Sequence, residues 1–297
     1  MNIPKRTPPF LGAGTALATP FTEDGIDFSA LGAMIDTQVA SGIDALILCG
    51  TTGESPTLTD REYEEILAFS AERIDGRVPY IVGCGSADTA RAIAHAKIAV
   101  KNKADAILVV TPYYNKGTAD GVVRHYHMLA EESGLPTLLY HVPGRTGVRL
   151  SVGTVLRIAE HPLLVGIKEA SGDMEFFASL SFALSDTLTL YSGCDCLILP
   201  SLALGGGGVV SVISNLFPRE TSRLCHAFFE GNFDEALGLA RRFAPLIDLL
   251  FADVNPAPLK CALALEGICE NRLRLPLSPV SEGLCARIYE AVLRAKE

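Results

Sequence analysis

Short apolar runs alternate with longer amphipathic stretches through most of the chain. The apolar runs are the length of buried β-strands, and they predict strands at residues 15–19, 45–49, 80–83, 106–111, 137–142, 164–167, 188–191 and 209–213. The amphipathic stretches between them predict helices at residues 60–75, 87–102, 118–133, 151–160 and 173–184. Thr59-Asp60 and Ser151 supply helix start signals at two of these helices.

Eight strands, each followed by a helix, favour an α/β fold with a (β/α)8 TIM barrel over an open doubly wound sheet. The doubly wound alternative is weakened because no Gly-x-Gly-x-x-Gly motif opens the first helix. We expect the barrel to take up residues 1–230. Residues 231–297 are expected to form a C-terminal helical extension, with helices at 232–251, 257–267 and 281–296.

Composition and charge narrow the possible partners. With 297 residues, 48% apolar, the chain can bury a large core. A formal net charge of -9 argues against nucleic acid or an anionic membrane as a partner. No apolar run approaches the ~20 residues that span a bilayer, and no signal-peptide core is found at the N-terminus. We therefore expect a soluble, cytoplasmic protein.

The cysteines and histidines do not indicate a metal site. Eight cysteines are scattered along the chain, most of them in apolar runs, so we expect reduced core residues. Cys194 and Cys196 are interpreted as two buried thiols of a strand-end loop rather than a metal or redox pair. His125 and His127 stand two positions apart on a predicted helix, which directs their rings away from each other.

Lys168 is the main candidate for chemistry, because it directly follows the apolar run 163–167. Burying an ammonium group costs roughly several kcal/mol of free energy unless the group is paired or loses its proton. A neutral lysine amine can attack a carbonyl group. Strand alternation places Gly166, Lys168 and Ala170 on one face, where the small neighbours would leave room for a ligand. A strand-end lysine that reaches solvent is equally compatible with this run alone.

Tyr140 lies in the strand that precedes the strand of Lys168. Alternation places Tyr140 and Val142 on one face and His141 on the other. Consecutive barrel strands are neighbours, so the phenol of Tyr140 can lie close to the Lys168 amine and carry protons in a dry pocket. Packing in the core is the alternative role for this tyrosine.

Other strand ends carry polar residues that suit carboxylates. Thr51 and Thr52 lie in a glycine-flanked turn, although an ordinary hydroxyl-rich turn would look the same. Arg145 lies between glycines and could bind a carboxylate with both guanidinium nitrogens, or simply face solvent. Tyr113 and Tyr114 follow a proline, which fits surface packing or an oligomer contact.

Together these motifs resemble the dihydrodipicolinate synthase family, within the pyruvate-dependent class I aldolase and N-acetylneuraminate lyase superfamily. The likeness extends from about Gly12 to the final helix. Its motifs are Gly-Thr-Thr-Gly-Glu-Ser at 50–55, Thr-Pro-Tyr-Tyr-Asn at 111–115, Tyr-His-Val-Pro-Gly-Arg-Thr-Gly at 140–147, Gly-Ile-Lys-Glu-Ala at 166–170 and Asn-Pro-Ala-Pro-Leu-Lys at 255–260. The setting of Arg145 points to the synthases rather than to the sialic-acid lyases.

The resemblance implies a reaction and catalytic residues. Lys168 would form an imine with pyruvate, and the derived enamine would attack L-aspartate 4-semialdehyde to give 4-hydroxy-tetrahydrodipicolinate. Tyr140 would pass protons with the help of Thr51 and Tyr114. Tyr114 would reach into the site of a neighbouring subunit in a homotetramer built from two dimers. The family requires no metal and no organic cofactor.

The resemblance also implies binding residues. Thr51 and Thr52 would hold the pyruvate carboxylate, with Val210 and Gly193 nearby. Arg145 would hold the carboxylate of the semialdehyde. A sibling aldolase or lyase, acting on keto-deoxy sugar acids or N-acetylneuraminate, remains open as the alternative. A ligand-binding barrel without turnover would be expected to lack the lysine or the tyrosine, and both are present.

One departure from the family concerns regulation. Feedback-inhibited relatives bind lysine at a subunit interface through a histidine, an asparagine and a glutamate. The corresponding positions here are Asp60, Ala87 and Arg91. An arginine would repel the ammonium group of lysine where the glutamate would attract it, so weak or absent inhibition is expected.

Overall fold

Eight parallel strands close into a barrel in the computed structural model, which describes residues 6–184 and 187–297. The first strand pairs with both the second and the eighth, and this pairing closes the cylinder. The barrel strands are β1 (Gly12–Ala16), β2 (Ala45–Leu48), β3 (Tyr80–Gly83), β4 (Ala106–Val110), β5 (Thr137–His141), β6 (Leu164–Glu169), β7 (Thr189–Ser192) and β8 (Gly208–Ser211). The predicted (β/α)8 barrel is therefore confirmed.

Helices surround the barrel, and those at 60–74, 89–101, 119–133, 152–158 and 174–184 match the five helices predicted between the strands. The surrounding helices are α1 (Phe28–Ala40), α2 (Asp60–Ile74), α3 (Thr89–Lys101), α4 (Ala119–Ser133), α5 (Pro143–Thr146), α6 (Val152–Ile158), α7 (Met174–Leu184), α8 (Ile198–Ala203) and α9 (Pro218–Phe229). The start signals of α2 and α6 are confirmed: the Thr59 and Ser151 side chains each accept a hydrogen bond from a backbone N–H in the first helical turn.

Three short structures differ from the predictions. The first strand begins at Gly12 rather than at residue 15, because its glycines and alanines carry little apolar signal. A hairpin of two-residue strands, Phe21–Thr22 and Gly25–Ile26, follows it. The residues around Arg145, where no helix was predicted, form the single helical turn α5, which Pro143 starts and Gly147, with φ +67°, ends.

Strand alternation separates an inner core from an outer one. Leu138 and Tyr140 of β5 lie in the inner cluster, whereas Leu139 packs in the cluster beneath the helices. The floor of the barrel is closed by the stacked rings of Phe10 and Tyr191, whose centroids are 4.5 Å apart. These rings fill the barrel interior next to the start of β1, so the carboxyl ends of the strands are the expected place for a ligand.

The C-terminal residues form α10 (Phe233–Leu250), α11 (Ala257–Leu265) and α12 (Glu282–Lys296). Helix α11 buries Lys260 completely, with its Nζ 2.5 Å from Glu54 Oε1 and 2.8 Å from the Arg272 carbonyl oxygen. Burial lowers the pKa of the Lys260 amine, and the neighbouring Glu54 carboxylate opposes that shift. This ion pair ties the helical extension to the turn that follows β2.

Two predictions about cysteines are wrong. A disulfide joins Cys261 of α11 to Cys285 of α12, whose Cα atoms are 6.3 Å apart. The packing of two helices creates this proximity, and the spacing of the cysteines along the chain does not reveal it. In the loop after β7, Cys194 is half-buried and Cys196 is exposed, whereas Asp195 between them is buried. Asp195 takes the inner position because its carboxylate accepts two backbone hydrogen bonds from the end of β8.

The other cysteines are free thiols, of which Cys49, Cys84 and Cys225 are buried, as expected. None of the helices in the described part of the chain has the length and apolar character needed to cross a membrane.

The buried ion pair between Lys260 of α11 and Glu54 should contribute to the free energy of unfolding. We expect Lys260→Ala to lower the free energy of unfolding by about 3–5 kcal/mol, because the Glu54 carboxylate loses its cation inside the protein. The matched control is Lys296→Ala, which removes a partly exposed pair with Glu266 that should contribute no more than about 1 kcal/mol. Urea unfolding followed by circular dichroism measures both changes. Equal losses in the two variants would contradict the prediction.

Candidate active site

A small cavity of about 40 Å³ lies at the carboxyl ends of β2 to β5. Thr51, Ser55 and Tyr140 supply its polar lining. A larger surface cavity, about 500 Å³, lies at the opposite end of the barrel, where α2 and α3 end and β3 and β4 begin. Barrel enzymes place their chemistry at the carboxyl ends of the strands, so the small cavity is the candidate site.

Lys168 and Tyr140 are direct neighbours across β5 and β6. The two residues are paired in the strand register, and Lys168 Nζ lies 4.2 Å from the centroid of the Tyr140 ring. Both side chains are only 6% exposed. The predicted proximity of amine and phenol is confirmed, and the alternative of a solvent-exposed Lys168 is wrong.

The small residues around Lys168 serve different purposes. A Cβ on Gly193 would lie 3.0 Å from Lys168 Cε and 2.5 Å from the Ala170 Cβ, so only glycine leaves space for the lysine side chain. The space beside Gly166 is already filled, because a Cβ there would lie 2.8 Å from Leu138 Cδ2. The expectation that Gly166 leaves room for a ligand is therefore wrong, since its neighbours fill that part of the barrel interior.

The turn with the two threonines is joined to the helical extension. Thr51 is half-buried and faces the cavity, whereas Thr52 is buried and accepts a hydrogen bond of 3.0 Å from Asn255 Nδ2. Arg145 is exposed and donates from Nη2 to the Asn255 carbonyl oxygen, also at 3.0 Å. Asn255 thus connects two residues that were expected to hold carboxylates. The 255–260 motif was recognised in the sequence, but this bridging contact was not.

Two further predicted residues, Val210 and Tyr114, differ in burial. Val210 of β8 is buried inside the barrel, where it pairs with Gly14 of β1. Tyr114 is 92% exposed on the loop after β4 and holds a left-handed backbone with φ +69°. The structure does not bring Tyr114 to the cavity of its own chain.

Two buried acidic groups near Lys168 were missed by the sequence reasoning. Burial raises the pKa of the Asp195 carboxyl, while hydrogen bonds and the Lys168 charge oppose that shift. Glu169 is also buried and lies 2.5 Å from His141 Nδ1, on the outer face of the strands. The sequence did contain a signal for the pair of Glu169 and His141. Glu169 directly follows Lys168, and His141 directly follows Tyr140.

Asp60, one of the positions expected to correspond to the lysine-binding residues of feedback-inhibited relatives, forms a surface cluster with Arg91 and His95. Asp60 Oδ1 lies 3.3 Å from Arg91 Nη2 and 3.2 Å from His95 Nε2. The His95 hydrogen bond and the Arg91 charge lower the pKa of the Asp60 carboxyl. Ala87 contributes only its carbonyl oxygen, which accepts from Asn115 Nδ2.

Among the described residues, no three His, Cys, Asp or Glu side chains are grouped so that they could hold a metal ion.

Comparisons with known proteins agree with the geometry. The model of the dihydrodipicolinate synthetase family matches residues 9–294. The 4-hydroxy-tetrahydrodipicolinate synthase of Acetivibrio thermocellus is 42% identical over 277 residues, which cover 93% of this chain and 94% of the relative. The same-named protein of Thermotoga neapolitana is 43% identical over 289 residues, covering 96% and 98%.

A solved structure shows the same likeness in three dimensions. The 4-hydroxy-tetrahydrodipicolinate synthase from Methylacidiphilum fumariolicum SolV superposes with a TM-score of 0.94 at 41% identity, and the match covers 96% of each chain. The family model, the relatives and this structure each span nearly the whole chain. The chain therefore belongs to the dihydrodipicolinate synthetase family.

Proposed function

We propose that this chain condenses pyruvate with L-aspartate 4-semialdehyde to form 4-hydroxy-tetrahydrodipicolinate, the activity for which its relatives are named. The observation that carries the proposal is the pairing of buried Lys168 with Tyr140 at the open end of the barrel. An amine held in a mostly apolar interior, beside a phenol that can carry protons, is suited to imine chemistry.

The first half of the reaction makes a carbon nucleophile. The hydroxyls of Thr51 and Thr52 bind the pyruvate carboxylate, and the Lys168 amine attacks the keto carbon. Loss of water leaves an imine. Tyr140 carries protons to and from this centre, and removal of a methyl proton converts the imine into an enamine. Val210 and Gly193 border the bound pyruvate in this proposal. Gly193 also leaves the space that the lysine side chain occupies.

The second half forms the carbon–carbon bond and releases the enzyme. The enamine carbon attacks the aldehyde carbon, and the new alkoxide takes up a proton. The amino group of the semialdehyde then adds to the imine carbon and expels Lys168 as a free amine. Arg145 binds the semialdehyde carboxylate, and its hydrogen bond to the Asn255 carbonyl holds the guanidinium at the site entrance. No metal or organic cofactor takes part in these steps.

Tyr114 acts in the site of a neighbouring subunit in this proposal. Its side chain is 92% exposed in the single chain, so it is free to complete the proton path of a neighbouring subunit. We infer a homotetramer built from two dimers, in the cytoplasm, with small molecules as its only substrates. The net charge of -9 supports a protein that does not bind nucleic acid.

A sibling aldolase acting on sugar-derived aldehydes would use the same imine. Coupled assays that offer pyruvate with either L-aspartate 4-semialdehyde or N-acetylmannosamine separate the two activities. Turnover of the sugar aldehyde alone would refute the synthase reaction while preserving the imine.

Imine formation is tested directly by borohydride reduction in the presence of pyruvate. We expect a covalent adduct on the peptide that contains Lys168, because reduction converts the imine into a stable secondary amine. Peptide mass mapping measures the site, with reduction in the absence of pyruvate and the Lys168→Ala variant as controls. An adduct confined to other lysines would exclude the proposed nucleophile.

The phenol of Tyr140 is tested by Tyr140→Phe. We expect kcat to fall about 100-fold or more, because a positioned proton carrier is lost, with KM for pyruvate within about twofold of its original value. The matched control is Tyr126→Phe in α4, whose buried hydroxyl donates to the Val109 carbonyl away from the cavity. Steady-state kinetics measure both variants, and near-normal turnover of Tyr140→Phe would remove this hydroxyl from the mechanism.

Lysine is expected to leave turnover almost unchanged. The Arg91 guanidinium, 3.3 Å from Asp60, presents positive charge where the ammonium group of lysine would have to bind. Initial rates at increasing lysine concentration, with pyruvate near its KM, measure the effect. Strong suppression by millimolar lysine would contradict this expectation.

A further inference from the structure

His141 and Glu169 form a buried pair directly behind Tyr140 and Lys168. In the register of β5 and β6, Tyr140 lies opposite Lys168 and His141 lies opposite Glu169. The side chains of the second pair point to the outer face of the sheet, where His141 is 0% and Glu169 4% exposed. One peptide bond therefore separates each member of this pair from a residue of the proposed proton path.

The hydrogen bonds of the pair define its protonation. The backbone N–H of Leu150 donates to His141 Nε2 at 3.2 Å, so this nitrogen carries the lone pair. The proton then resides on Nδ1, which donates to Glu169 Oε2 at 2.5 Å. Glu169 Oε1 accepts a further bond of 2.6 Å from the Ser171 backbone N–H. All four polar atoms are satisfied by a neutral imidazole and a carboxylate.

The pair joins four segments of the chain. His141 and Glu169 end β5 and β6, Leu150 follows the turn that carries Arg145, and Ser171 lies in the loop after Lys168. Phe176 of α7 covers the imidazole, with the ring centroids 5.1 Å apart. A buried, charged hydrogen-bond network costs a large free energy to break, so it holds these segments in one arrangement.

The strand register gives this pair a specific purpose. At the start of β6 the register is irregular, because Thr137 pairs with Leu164 whereas Leu138 already pairs with Gly166. Beyond this irregularity the backbone pairing is regular, from Leu138 opposite Gly166 to His141 opposite Glu169. The side-chain bond between His141 and Glu169 reinforces this pairing at its last step, next to the position where the phenol must meet the amine.

We propose that His141 and Glu169 are positioning residues that hold the Tyr140 hydroxyl in place for proton transfer at Lys168. This inference rests on the proposed function. Proton transfer depends steeply on donor–acceptor geometry, whereas binding of the pyruvate carboxylate by the threonine turn does not involve these strands. Disturbing the pair should therefore lower kcat and leave KM for pyruvate nearly unchanged.

Two variants break the pair and one preserves its central bond. In Glu169→Gln, one amide oxygen must serve two N–H donors that the carboxylate served with two oxygens. In His141→Gln, the side chain can still accept from Leu150 but has no donor at the position of Nδ1. In His141→Asn, the amide nitrogen replaces Nδ1 as the donor to Glu169. We expect kcat to fall at least tenfold in the first two variants and no more than about threefold in His141→Asn.

A second readout isolates the proton-transfer step. Nuclear magnetic resonance can follow the exchange of the pyruvate methyl protons with deuterated solvent, which requires the imine and the enamine but not the second substrate. We expect this exchange rate to fall in parallel with kcat in Glu169→Gln and His141→Gln. Borohydride trapping at saturating pyruvate should still label Lys168 fully in both variants.

The control for lost stability is Thr15→Val in β1, which removes a buried hydrogen bond of 2.6 Å to Gln38 on the outer face of another strand. Its Tm should fall while kcat and the exchange rate stay unchanged. If Glu169→Gln and His141→Gln behave like this control, the pair is only structural and the inference is overturned. If the unmodified enzyme itself forms no adduct at Lys168, the proposed function fails instead, so the two failures are distinguishable.

Discussion

The parallel pairing of β5 with β6 is the constraint on which the rest of the site depends. It places Tyr140 opposite Lys168 inside a closed cylinder, where both residues are only 6% exposed. In such surroundings a short separation between an amine and a phenol is maintained by the backbone hydrogen bonds of the strands, and the His141–Glu169 bond behind them adds to this restraint. The chemistry is thus carried by rigid strands, and only the carboxylate-binding groups lie on turns.

Those turns are held from outside the barrel by the helical extension. Lys260 is paired with Glu54 in the turn after β2, and Asn255 donates to Thr52 and accepts a hydrogen bond from Arg145. A buried charge pair is expensive to separate, so the extension restrains the turn after β2. The extension therefore belongs to the architecture of the site, although it contributes no strand to the barrel.

Packing also makes the two ends of the barrel interior different. Phe10 and Tyr191 close the floor, and the space beside Gly166 is filled, whereas Gly193 keeps room around the lysine near the open end. A TIM barrel by itself is compatible with many reactions, because its function lies in the residues at the strand ends. Here family membership and strand-end geometry agree.

The sequence alone determined the barrel, the separation of the two faces of β5 and β6, and the position of Lys168 beside Tyr140, because these follow from periodicities that extend over a few neighbouring residues. Only the tertiary structure decided the partners of Lys260 and Glu169, the Cys261–Cys285 disulfide and the exposure of Tyr114. Most of these depend on residues far apart in the chain or on different elements. Such contacts arise from the packing of whole elements, and a local pattern of apolar and polar residues carries no information about which partner packing will supply.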